Sequence, residues 1–467
     1  MNAASMPSAD AADAVDAALA LKYDVPSPRY TSYPTVPYWS DTPDEARWLE
    51  RLGAALRHAT PGTGLGLYVH IPFCRSLCTY CGCNTRVTRT PSVVAPYVDA
   101  VLEEFRMYRE RIGIARPLIG ELHLGGGTPT FLDCSQLERL VGGLLSDTVV
   151  AAGAELSVEV DPRVTTQPQL QLLSRHGFRR ISLGVQDFDP RVQHIVNRVQ
   201  SEAQVREVTE QSRAAGFQSV NYDLIYGLPL QTLTSIERTM EAVCRLRPDR
   251  VALYGYAHVP WMRPGQRRFG EQDLPAGAER RALYERSRAL LAGAGYRELG
   301  IDHFALPGDG LWQAAASGSL HRNFMGYGSV RSEPLLGLGV SAIGDAGDAF
   351  AQNEKDLLVY QQRIARGELP IQRGHVLDAE DLVLRGHILN LMTRLETDWS
   401  SPLRYTPSLA GIGDRLAALQ QDALLELGPH SCRVTSKGRA FLRNICMAFD
   451  ARMARQKPDR PLFSRSS

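Results

Sequence analysis

The sequence predicts an α/β fold, a parallel sheet wrapped by helices, with an N-terminal arm and a small, mainly helical C-terminal domain. Three observations predict it. Short apolar runs at 67–71, 119–124, 155–160, 180–185, 219–225 and 250–256 read as strands. Helical patterns lie between them; the clearest sets Val94, Tyr97, Val98, Val101, Leu102 and Phe105 on one helix face. After about residue 365 the rhythm stops and the pattern turns mostly helical. Strands that alternate with helices imply parallel pairing, because a parallel neighbour is reached only through a crossover. Periodicity alone leaves a barrel and a doubly wound sheet both open. The expected divisions are an arm over 1–60, a main domain over 61–365 and a C-terminal domain over 366–467.

Residues 1 to about 20 lack hydrophobic periodicity and read as disordered or a loose helix. Arg29-Tyr30-Thr31-Ser32-Tyr33-Pro34-Thr35, dense in aromatics and hydroxyls, reads as an ordered arm lying across something. A turn at Pro61-Gly62-Thr63-Gly64 introduces the main domain. Polar or Gly-rich residues follow the strands: a cysteine cluster, Gly125-Gly126-Gly127-Thr128, Asp161, and Gln186-Asp187. In a parallel barrel the strand C-termini share one face, and active sites are built there. In the C-terminal domain, Ser431–Thr435 reads as a strand, and Lys437-Gly438-Arg439 leads into a helix carrying Phe441, Leu442 and Ile445, a winged-helix-like pattern.

A chain of 467 residues exceeds one ordinary core, and 44% hydrophobic with 22% charged residues describes a globular protein. A net charge of +1 offers nucleic acid no global field, so no nucleic-acid partner is expected. The Ala- and Asp-rich start does not resemble a secretory signal, and no stretch approaches a membrane span. The expected setting is the cytoplasm, with no membrane partner.

Of eight cysteines, Cys74, Cys78, Cys81 and Cys83 fall within ten residues, which in a reducing compartment points to metal or redox chemistry. Cys134, Cys244, Cys432 and Cys446 read as small core residues. Three thiolates at CxxxCxxC spacing can hold three irons of a cubane from one loop and leave the fourth iron open. The competing reading is a closed Cys₄ zinc site, but zinc sites usually take paired cysteines from two knuckles, and a second pair is missing.

The loop after the first strand, with Tyr80 before Cys81, resembles the radical S-adenosylmethionine (SAM) superfamily. The run LYVHIPFC…C.YCGCN, RYTSYPT, GGGTPT at 125–130, EVDPR at 159–163 and GVQDF at 184–188 resembles the oxygen-independent coproporphyrinogen III oxidases in particular. DLIYGLP at 223–229, YAH at 256–258, DHFA at 302–305, HRNF at 321–324 and RNICM at 443–447 continue the resemblance in the family's order. It implies a partial TIM-type radical SAM barrel with a [4Fe-4S] cluster on Cys74, Cys78 and Cys81. It implies conversion of coproporphyrinogen III to protoporphyrinogen IX, with two SAM cleaved to methionine and 5′-deoxyadenosine. An electron donor such as flavodoxin or ferredoxin, an unidentified electron acceptor and a monomeric state complete the expectation.

Residue by residue, the resemblance places Tyr68, Gly126, Glu159 and the backbone of Ile343 beside the first SAM. It places Tyr80, Gly127, Thr128, Gln186, Arg198, Asp223 and Ala257 beside a second SAM. Cys83 is expected to be essential for turnover without being a ligand, Gly82 turning it toward the reaction chamber. Four propionates on the substrate call for arginines, with Arg29, Arg263, Arg267, Arg268 and Arg322 as candidates; His303 and His321 receive no role. Two other functions compete. A haem-binding carrier of the same superfamily is disfavoured, because this chain has Cys83 and the RYTSYPT arm. A zinc-stabilised nucleic-acid binder is disfavoured by the neutral charge.

Overall fold

The computed structural model describes residues 17–58, 64–456 and 462–465. The turn expected over Pro61–Thr63 and residues 1–16 lie outside the described residues. Six strands run parallel in chain order: β1 (Leu65–Ile71), β2 (Leu118–Gly126), β3 (Val149–Val160), β4 (Arg180–Gln186), β5 (Ser219–Tyr226) and β6 (Arg250–Gly255). Each of the first five is followed by at least one helix: α1 (Val94–Ile112), α2 (Cys134–Ser146), α3 (Gln167–Arg175), α4 (Glu202–Ala215) and α5 (Leu233–Leu246). The order of these six never reverses, which excludes the switch point of a doubly wound sheet among them. The sheet continues into β7 (Arg297–Leu299) and β8 (His303–Ala305), and at its other end into β9 (Leu335–Leu338), β10 (Ile343–Asp345), β11 (Ala349–Asn353) and β12 (Ile371–Val376). The full order is β12-β11-β10-β9-β1-β2-β3-β4-β5-β6-β8-β7, an open, partial barrel.

Strand alternation separates the two faces. Leu122, Leu124, Val158, Ile181, Leu183, Val220, Tyr222 and Leu224 are buried in the main core with the helices' apolar stripes. The intervening His123, Ser157, Glu159, Ser182, Asn221 and Asp223 face the hollow of the barrel. Capping boxes at Asp133, Thr166, Ser201 and Thr232 start four of the helices, so each chain reversal is fixed locally.

The helix Glu45–Arg57, within the stretch read as arm, puts Trp48 and Leu52 into the main core, with Trp48 Nε1 donating to Tyr108 at 3.1 Å. The strand β12 lies beyond residue 365 and pairs antiparallel with β11, so the main sheet runs past that point. The chain after β12 is helical, with a three-stranded antiparallel sheet of Glu396–Asp398, Ser431–Val434 and Leu425–Gly428. The separate apolar core of this unit takes in Tyr30 and Tyr33 from the arm. Each fully buried aromatic contributes on the order of 1.5–3 kcal/mol, enough to fix the arm. Among the described residues no helix is long and apolar enough to cross a membrane.

Glu104 on α1 ties the sheet's two halves together. It accepts from Gly339 N at 2.8 Å, Asn353 Nδ2 at 2.7 Å and Tyr360 Oη at 2.7 Å. Burial pushes its carboxyl up to about 7 despite these donors. The native state therefore holds a proton that the unfolded chain releases above about pH 4.5, and stability falls as pH rises from there to about 7. We expect Glu104→Gln to remove this loss. The stability gap between wild type and variant should narrow by up to about 3 kcal/mol between pH 4.5 and 7 in urea titrations, then stay flat. A gap independent of pH would contradict the assignment.

Candidate functional site

The hollow is a cavity of about 490 Å³ whose walls come from the strand ends and the loop after β1. Cys74, Cys78, Cys81 and Cys83 line it, together with Tyr80, Gly126, Gly127, Thr128, Glu159, Gln186, Arg198 and Asp223. Tyr68, Ala257 and Ile343 do not line it. Tyr68 stacks on His123 at 5.9 Å and hydrogen-bonds His70 Nδ1 at 3.0 Å. The Ala257 carbonyl accepts from Gln266 at 3.0 Å, and Ile343 sits in β10 opposite Gln352.

The cysteine loop is anchored from several sides. Thr79 N donates to Val196 O at 3.0 Å, Asn197 Nδ2 to Leu77 O at 2.7 Å, and Gln266 Nε2 to Tyr80 O at 3.2 Å. Each sulfur of the expected ligand triad has a neighbour suited to a thiolate. Thr128 Oγ1 lies 3.4 Å from Cys74 Sγ, Cys83 N donates to Cys81 Sγ at 3.4 Å, and Arg198 and Arg163 point at Cys78 Sγ from 3.6 and 3.8 Å. Burial pushes the Cys74 thiol up to about 11, while hydrogen bonds from the Cys83 thiol and amide bring Cys81 down to about 6. Donors aimed at sulfur and two guanidiniums nearby are the surroundings that a thiolate-held cluster needs.

Gly82 keeps an ordinary φ with open space around it, and Cys83 lines the cavity with its thiol within hydrogen-bonding reach of Cys81. Gly126, in contrast, needs to be glycine. Its φ is +112°, and a Cβ there would lie 2.7 Å from the His70 ring. Its N–H donates to Glu159 Oε2 at 3.0 Å, and His123 Nε2 lies 3.3 Å from Oε1. Burial raises the Glu159 carboxyl, but His123, the Gly126 amide and His70 outweigh it and hold the group below the ordinary range.

Gln186 sits just past a bulge in β4 at φ +68°, left-handed backbone that a non-glycine residue adopts only under constraint. Asp223 accepts from Ser182 at 2.7 Å and Asn221 at 2.9 Å, and burial with the nearby Glu159 pushes it up to about 6. Arg198 is already engaged, donating to Gly184 O at 2.5 Å and pairing with Asp161 at 3.3 Å. Asp161 also pairs with Arg163 at 2.7 Å, so one carboxylate holds both arginines against Cys78. Sequence reasoning left out His123, Arg163, Tyr254 and Tyr327, all on the cavity wall. Period-two alternation from Glu159 and Asp223 could have found His123 and Tyr254; Arg163 and Tyr327 lie outside that pattern.

Residues 68–243 match the Radical SAM superfamily. The oxygen-independent coproporphyrinogen III oxidase of Escherichia coli (strain K12) is 40% identical over 455 residues, 96% of this chain and 98% of the relative. That of Pseudomonas aeruginosa is 39% identical over 445 residues, 93% and 95% of the two chains. The solved Escherichia coli coproporphyrinogen III oxidase, described as a radical SAM enzyme, aligns with a TM-score of 0.85 at 40% identity, covering 93% of this chain and 98% of that one.

Serine at Cys74, Cys78 or Cys81 is expected to lower the iron bound after anaerobic reconstitution. Serine at Cys134, Cys244, Cys432 or Cys446 should leave it unchanged. Cys83→Ser should keep iron, because the backbone N–H that donates to Cys81 Sγ is unchanged by it, while losing turnover. Iron loss equal to that of Cys81→Ser would make Cys83 a ligand.

Proposed function

Because this chain belongs to the oxygen-independent coproporphyrinogen III oxidase family of radical SAM enzymes, we propose that its barrel cavity is where coproporphyrinogen III is converted to protoporphyrinogen IX. Two propionates each give up a hydrogen atom, CO₂ and one electron, the electron passing to an acceptor outside this chain, and become vinyl groups. The observation that carries the reading is the meeting of the Cys74, Cys78 and Cys81 loop with strand-end polar residues in one cavity. Enzymes of this family use a [4Fe-4S] cluster and SAM; when bound, they supply a 5′-deoxyadenosyl radical that takes hydrogen from a propionate side chain.

The chain's own groups bind, orient and shield. Cys74, Cys78 and Cys81, all on the cavity wall, would hold the cluster. Arg163 and Arg198 offset the negative charge gathered at the thiolates. Glu159, kept ionised by His123 and the Gly126 amide, would accept the hydroxyl pair of a SAM ribose, and Gly126, having no Cβ, leaves room for the His70 ring beside it. Asp223, Gln186, Tyr80, Gly127 and Thr128 serve a second SAM. Arg198 serves there too: Gly184 O, Asp161 and Cys78 take four of its five N–H donors and fix the side chain, which leaves one Nη2–H for a ligand. Tyr68, Ala257 and Ile343 act from outside the wall, Tyr68 through its stack on His123. Cys83, open to the cavity beside Cys81, is the residue we assign to turnover.

An acidic one-electron donor such as flavodoxin or ferredoxin would supply the cluster. All eight cysteines are free thiols, as suits the reducing cytoplasm. The chain is proposed to act as a monomer, because one chain supplies every residue assigned here. The related oxidases from Escherichia coli and Pseudomonas aeruginosa lend no support to a haem carrier.

Reconstituted protein given reductant, SAM and coproporphyrinogen III should release two 5′-deoxyadenosines per protoporphyrinogen. Calorimetric titration should saturate at two SAM per chain. Glu159→Ala should weaken the first site and Asp223→Ala the second, each about tenfold or more, as loss of a charge-assisted hydrogen bond implies. Saturation at one SAM with substrate present would remove the second site.

A further inference from the structure

At the end of the cavity formed by β6 and β8, Arg29 and Arg322 act on Asp302, while Asp223 on β5 feels the charge of His303. Arg322 is 5% exposed, its Nε has no hydrogen-bond partner among the described residues, and its Nη2 reaches only the Arg29 carbonyl at 3.4 Å. Among the described residues it makes no ion pair; its guanidinium lies 4.4 Å from the centre of the Tyr327 ring. Removing a guanidinium from water without a counter-ion is costly, so this arrangement calls for an anion nearby. Asp302 is the adjacent carboxylate, and it is already bonded to His303 Nδ1 at 2.6 Å. Burial raises the Asp302 carboxyl, yet His303, Arg322 and Arg29 together hold it below the ordinary range.

His303 lines the cavity, and Tyr254 and Tyr327 pack edge-on against its ring at 6.0 and 5.2 Å. With Nδ1 fixed by Asp302, its Nε2 makes no hydrogen bond to the described residues. Nδ1 donates to the ionised Asp302, so Nε2 carries an N–H only in the imidazolium form, and the bracing fixes the direction of that donor.

We infer that the His303 ring, as an imidazolium, offers Nε2–H as a recognition site for a substrate carboxylate, with Arg322 behind Tyr327 adding positive charge and Asp302 orienting the ring. Under the function proposed for the cavity, on which this rests, the carboxylate is a propionate directed away from the cysteine loop. Tyr254 and Tyr327 then flank the pyrrole that carries it. Arg322 is a positioning residue here, and His303 touches the ligand.

The test needs no cluster. Iron-free full-length protein is titrated with coproporphyrin III, the stable oxidised form of the substrate, and with its tetramethyl ester, following porphyrin fluorescence. Wild type should prefer the acid. His303→Gln and Arg322→Met should each weaken acid binding about tenfold and leave ester binding unchanged, so that the preference shrinks. Thermal melts accompany both variants. If Arg322→Met does not fold, His303→Gln, a polar exchange on the cavity wall, decides alone. Folded variants that keep the wild-type preference, or a wild type with no preference, would overturn the inference. Failure of the functional reading is distinguishable: the reconstituted wild type would then form no protoporphyrinogen, whatever the porphyrin titration gives.

Discussion

The whole molecule depends on the two-residue alternation along six parallel strands. Each strand sends apolar side chains outward to the helices and polar ones inward, so stability and chemistry occupy opposite faces of one sheet. Polar groups facing a hollow are costly unless paired. Many are: Ser182, Asn221 and Asp223 bond to one another, Arg250 pairs with Asp309 at 2.5 Å, and Arg180 pairs with Glu155. Some are not; Asn221 Oδ1 and Arg250 Nη1, both on residues of the cavity wall, are buried without partners among the described residues. The wall that faces the hollow is itself largely polar, with Ser157, Glu159, Ser182, Gln186 and Asp223 on it.

Placement of the cysteine loop follows from the same constraint. After β1 the chain must leave the sheet at the strand C-termini, and the loop arches over the hollow. The strands beside it supply what thiolates lack: donors and cations. Asp161, just past the end of β3, holds Arg163 and Arg198, and both reach Cys78. One buried carboxylate therefore sets the electrostatics of a sulfur that the sequence places more than eighty residues away.

Much of this was legible in the sequence, for identifiable reasons. The six parallel strands carry apolar runs bounded by turn residues, and the structure finds a strand at each. The cysteine triad is a local spacing, and local spacings survive folding. What sequence could not give was contact between distant segments. Arg198 reads as a free side chain until its neighbours Gly184, Asp161 and Cys78 are seen to engage it. The strands Glu396–Asp398 and Leu425–Gly428 escaped because short strands in a helical context have too few residues to show a period of two. Tyr254 and Tyr327 meet around His303 only through the fold.

The C-terminal unit bears on the cavity through the arm. Tyr30 and Tyr33 are buried in that unit's core, and Tyr30 Oη donates to Asp450 at 3.1 Å. Arg443 holds the preceding backbone by donating to the carbonyls of Ser27 and Pro28. Between these anchors Arg29 has little freedom; its guanidinium donates to Gly255 O at the end of β6 and lies 6.0 Å from the Tyr254 ring. A unit remote in sequence thus fixes a charge beside the cavity's end wall without lining the cavity. It closes one end of the electrostatic field, as Asp161 and its arginines set the other.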